Sequence, residues 1–147
     1  MYLRFVTPHR AYGAVCGHMR AEGRHVAAGL FQPAGAIARD GRQPVWLRRA
    51  LREQFDWFNT HMPVPNRKGV VTRRSYRPYT GVCWFRTDNT GGNTCDAIAR
   101  AAIIAALLGE AGVPVVRRHT RTPGEIVYRD DFQIVAVPCG DADLRWH

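Results

Sequence analysis

The sequence predicts an α+β domain, with helices packed on one face of a mainly antiparallel sheet. Three observations predict it. Leu47, Leu51, Phe55, Phe58 and Met62 recur at spacings of 4, 4, 3 and 4, which puts them on one helical stripe. A second segment, Ala97 to Leu108, is apolar and rich in Ala. Short strand-like runs follow it, punctuated by Pro, Gly and Asp.

Residues 1–7 alternate Tyr2, Arg4 and Val6 with Leu3 and Phe5, the period of a strand, and Pro8 ends it. Residues 8–25 read as a long loop. A short helix is expected within 26–39, beginning or kinking at Pro33. The first main helix spans about 44–62, opened by Pro44 and closed by Pro63 and Pro65. Residues 63–80 read as a basic loop and Val82 to Arg86 as a strand. The second main helix spans about 94–111, with Asn93 as the expected cap, Gly112 supplying a left-handed residue and Pro114 preventing continuation. The C-terminal part reads as a three-stranded meander over 113–120, 125–129 and 132–137, and Asp130 and Asp131 read as turn formers. One domain over 1–138, with a tail at 139–147, is the expected organisation.

A chain of 147 residues is long enough to bury roughly two thirds of its surface without a disulfide or metal staple. Its apolar content of 46% and charged content of 22% are those of a globular protein. The opening segment reads as a strand and not as a signal peptide. The longest apolar run, Ala101 to Leu108, is far below the ~20 residues that span a bilayer. Cys16, Cys83, Cys95 and Cys139 contain no C-x-x-C pair and read as reduced thiols in a cytoplasmic protein without membrane association.

Charge is the most informative feature. The net charge is +9, and residues 1–87 carry 15 Arg or Lys against 4 acids, whereas residues 88–147 carry 6 against 8. Such a division points to an anionic partner for one side of the molecule. Twenty of the 21 cations are arginine, which a GC-rich coding sequence also produces, so clustering weighs more than composition. Between 57 and 87 stand Arg67, Lys68, Arg73, Arg74, Arg77 and Arg86 with no acid, interleaved with Tyr76 and Tyr79. Cations neutralise phosphates and aromatic faces stack on bases, so this pattern suits RNA or DNA.

Other chemistry-bearing residues fit plainer roles. Gly91-Gly92-Asn93-Thr94 lacks the Gly-Lys-Ser/Thr of a phosphate-binding loop and reads as a capped helix start. Cys95, in the first helical turn, would need a base such as His119 to act as a nucleophile, and reads as a structural thiol. His9, Cys16, His18 and His25 share one loop without the spacing of a zinc module, so no metal or other cofactor is expected.

Several segments, Leu3-Arg4-Phe5-Val6, Gly29-Leu30-Phe31-Gln32, Asp56-Trp57-Phe58-Asn59, Met62-Pro63-Val64-Pro65, Trp84-Phe85-Arg86 and the closing 123–136, resemble a family of small bacterial proteins with no assigned activity. The resemblance covers most of 1–138, with the 8–25 loop as an insertion. It implies a compact bacterial domain and transfers no functional residue. The function expected from the residues is that of a non-catalytic nucleic-acid-binding accessory module. One alternative is a metal-independent, toxin-like ribonuclease using His61, Arg73, Arg74, Tyr76 and His119. The other is an adaptor for an acidic protein.

Overall fold

A computed structural model describes residues 1–9, 27–62, 82–88 and 93–138. The elements follow the expected order: β1 (Tyr2–Val6), α1 (Phe31–Arg39), α2 (Val45–His61), β2 (Val82–Arg86), α3 (Asn93–Glu110), β3 (Val116–Thr120), β4 (Glu125–Arg129) and β5 (Gln133–Val137). All strand pairings are antiparallel, and the molecule is a single α+β domain.

Each helix is placed by local chemistry. Pro33 sits in the first turn of α1, where its missing N–H costs nothing. Pro44 occupies the cap position of α2, with Arg48 N–H donating to its carbonyl at 3.1 Å. α2 buries Leu47, Leu51 and Phe58, with Phe55 and Met62 partly buried, so the predicted stripe is the inner face. α3 buries Ala97, Ala101, Ile104 and Leu108 completely. It ends in a Schellman motif: Gly112 has φ +81, its N–H meets the Gly109 carbonyl at 3.0 Å, and the Val113 N–H meets the Leu108 carbonyl at 2.9 Å. Val113 and Leu108 share the core, as that motif favours.

The helices cover one face of the sheet. Leu3, Phe5 and Phe85 form a common core with Leu30, Ala34, Leu51, Phe58, Ala101 and Ile104. An aromatic chain runs through the layers: Phe31 edge-on to Phe58 at 5.0 Å, Phe58 to Phe85 at 6.5 Å, and Phe85 edge-on to Phe5 at 6.3 Å. Gln54, apart from the apolar stripe, is buried too and accepts a hydrogen bond from Arg100 at 3.3 Å, while Arg100 lies over Trp57 at 5.1 Å.

The sheet order is β3-β1-β2-β5-β4. The three C-terminal strands follow one another in the chain, yet β3 stands on one edge and the β4–β5 hairpin on the other. Pairing makes β3 and β4 run in the same direction, so the link 121–124 must travel from the Thr120 end of one edge to the opposite end of the other. Four strand spacings in a flat sheet are about 19 Å. The link, fully extended, reaches about 17 Å before any travel along the strands is counted. The sheet is therefore curled, which brings its two edges within reach of the 121–124 link. A hydrogen bond from Arg129 to the Tyr2 hydroxyl, 3.0 Å long, spans β4 to β1 and marks the concave side. The bend is made at Pro123, which is buried, and Gly124, whose φ is +114.

The connection between β4 and β5 is an Asx-type turn. The Asp130 carboxylate accepts from the backbone N–H groups of Phe132 (2.7 Å) and Gln133 (2.9 Å), from the Tyr128 hydroxyl (2.8 Å) and from the Gln133 side chain (3.2 Å). Asp130 is thus the turn former that its position suggests, with its carboxylate occupied by its own hairpin.

Candidate functional site

Register places the basic side chains. On the concave face, Arg4 of β1 stands directly opposite Arg118 of β3, and Tyr2 stands opposite Arg86 of β2. On the helix-bearing face, Phe5 stands opposite Arg117 and Leu3 opposite His119. The three adjacent strands β3, β1 and β2 together hold Arg4, Arg86, Arg117, Arg118 and His119 and no carboxylate, and Arg121 follows directly.

The surroundings of these cations differ. Arg4 is buried and donates to the Ala27 carbonyl at 2.6 Å, which fixes its side chain. Arg117 is exposed at the sheet edge, and its guanidinium lies over the Phe5 ring at 5.2 Å, a neutral partner. His119 and Arg121 are exposed, and Arg118 is half-buried.

Arg86 is held internally. It grips Asp88 with two hydrogen bonds of 3.0 and 2.9 Å and donates a third, 2.9 Å, to the Asp130 carbonyl. The Arg86 guanidinium lowers the Asp88 carboxyl to about 2, against an ordinary value of 3.8. Since the folded value lies below the unfolded one, this pair stabilises the fold at pH values above 3.8 and the contribution is lost as pH falls towards 2. NMR titration of the Asp88 carboxyl is expected to give a midpoint near 2 in the wild type and near the ordinary value in Arg86→Gln; an unshifted wild-type midpoint contradicts the pair.

Of the predicted nucleic-acid contacts, Arg86 alone falls among the described residues; Arg67, Lys68, Arg73, Arg74, Tyr76, Arg77 and Tyr79 lie outside them. The proposed ribonuclease set is likewise only partly described. His61 packs on Trp57 at the end of α2, centroids 4.8 Å apart, and His119 stands on β3, with no hydrogen bond between the two rings among the described residues. Cys83 and Cys95 are not joined in a disulfide. Among the described residues no group of three or more His, Cys, Asp or Glu side chains is arranged to hold a metal ion, and no helix is long and apolar enough to cross a membrane. Of the His9, Cys16, His18 and His25 group, only His9 is described.

Sequence reading singled out the central basic segment and passed over Arg4, Arg117 and Arg118. The signal for the β3 part was present: Arg117-Arg118-His119-Thr120-Arg121 lies in a stretch, 111–124, without an acid. The addition of Arg4 depends on strand register, which the sequence does not announce.

Fold and site together define an α+β domain whose curled antiparallel sheet carries an acid-free basic flank. Comparison of the chain with protein-family models, curated proteins and solved structures finds no match.

Proposed function

We propose that this protein binds nucleic acid through phosphate contacts and is not itself a nuclease. The observation that carries the reading is the acid-free trio of adjacent strands, β3-β1-β2, with Arg117, His119 and Arg121 exposed. Contacts of this kind are sequence-independent and are made by guanidinium groups whose charge is not cancelled by a carboxylate. Arg86 is bound to Asp88 and so contributes to holding the sheet end together rather than to the ligand. The central segment, with Arg67, Lys68, Arg73, Arg74, Arg77 and the two tyrosines, adds further cations and rings to the same chemistry.

The test is a binding titration with a labelled RNA at several salt concentrations, using Arg117→Ala with Arg121→Ala. Each alanine removes about one phosphate contact, so affinity is expected to fall by about tenfold and the salt slope to flatten by about 2. Unchanged affinity overturns the assignment of this flank. The same incubation, run to long times, is expected to leave the RNA intact; shortened products move the reading to the ribonuclease alternative.

A further inference from the structure

The turn joining α1 to α2 presents an apolar tip among cations. Pro44, Val45 and Trp46 are all exposed, Val45 at 60% and Trp46 at 56%, whereas Leu47 beside them is buried in the core. The described ring contacts of the helix layer are made by Phe31, Phe55, Trp57, Phe58 and His61, and Trp46 takes no part in them. Around the tip, residues 39–52 carry Arg39, Arg42, Arg48, Arg49 and Arg52 against the single acid Asp40. Asp40 is spent on Arg42, which holds its carboxyl below the usual range through side-chain hydrogen bonds of 3.1 and 3.2 Å. Arg48 and Arg52 donate to the carbonyls of Gln43 (3.3 Å) and Ala38 (3.1 Å), which position them and leave their charges in place. Arg49 is exposed one helical turn beyond Trp46.

We propose that this tip is a stacking platform for single-stranded nucleic acid, with the Trp46 indole against a base and Arg48 and Arg49 on the flanking phosphates. This inference rests on the nucleic-acid reading above and narrows it to unpaired strands at this position. The physical reason is complementarity. An indole standing clear of the surface offers a π face, which only a base outside a duplex is free to take. The surrounding guanidinium groups and the positive end of α2 attract the backbone on either side. A duplex shows this tip only phosphates and leaves the ring unused.

The experiment compares a short fluorescein-labelled oligo(dT) with a hairpin duplex, using wild type, Trp46→Ala, Trp46→Phe and Arg49→Ala. Stacking on one base implies that Trp46→Ala weakens oligo(dT) binding by about tenfold while hairpin binding stays as in wild type. Trp46→Phe is expected to retain most of the affinity, and Arg49→Ala to lose a few-fold for oligo(dT). Unaltered melting curves confirm that these surface changes leave the fold intact. Wild-type oligo(dT) affinity in Trp46→Ala, with the hairpin still bound, overturns the platform and leaves the broader reading standing. Failure of the wild type to bind either probe sinks both. Trp46-dependent binding to phosphatidylserine vesicles in place of oligo(dT) overturns the platform in favour of a lipid surface.

Discussion

Gly124→Ala is expected to destabilise the protein by about 4 kcal/mol and to lower its melting temperature by about 8–16 °C. Gly124 has φ +114, a conformation that alanine enters only with strain. A Cβ there would also meet the backbone carbonyl of Val137 and the backbone of Pro138, which have no side-chain freedom with which to retreat. The strain accounts for about 1–3 kcal/mol and the forced backbone shift for a similar amount. Gly112→Ala is the natural control. Its φ is +81, but nothing lies within 4 Å of the added methyl, so strain acts alone and about 1 kcal/mol is expected. Equal losses at the two glycines, measured by thermal or urea unfolding, would show that the 121–124 link is not pressed against the end of β5. The curl of the sheet would then need another cause.

That contrast shows what the sequence discloses and what it does not. Both glycines read as turn residues, one with Pro114 two residues on and the other directly after Pro123, and both do turn the chain. Local rules suffice for Gly112, where a helix must stop and the cap closes within six residues. The helices were legible for the same reason: the Leu47-Leu51-Phe58 stripe and the Ala97-Ala101-Ile104-Leu108 stripe are periodic, and burial follows the period. The Asp130 turn is local too, since every hydrogen bond of its carboxylate stays within three residues. Strand order is different. The segment 113–137 shows three strands in succession, and only closure of the sheet sends β3 to one edge and β4 to the other. Non-local pairing of this kind is fixed by packing and by the reach of a four-residue link, neither of which leaves a periodic trace.

The basic flank was legible only in part, for a related reason. Charge segregation along the chain is visible as a count, and it pointed to an anionic partner. Arg4 and Arg118 are 114 positions apart, and it is the β1–β3 register that sets them face to face. Arg86 shows the converse. It lies at the end of the acid-free stretch 57–87, but Asp88, two residues on, captures it. The acids of the C-terminal hairpin do not perform the same capture elsewhere through Asp130, whose carboxylate is filled by its own turn.

Salt dependence of binding is the second large expected effect and the most direct test of the central claim, that uncancelled guanidinium groups on this protein hold a polyanion by its phosphates. If about five phosphates of a duplex are engaged, log K falls against log salt with a slope near −4.5. Affinity for a double-stranded probe then drops about 500-fold between about 50 and 200 mM salt. The measurement is an anisotropy titration of a labelled duplex at four or more salt concentrations, with the slope read from the wild-type protein. A steep line near −4.5, flattened by about 2 in the Arg117→Ala, Arg121→Ala protein, is the predicted result. A slope near zero, or no binding at the lowest salt, contradicts it.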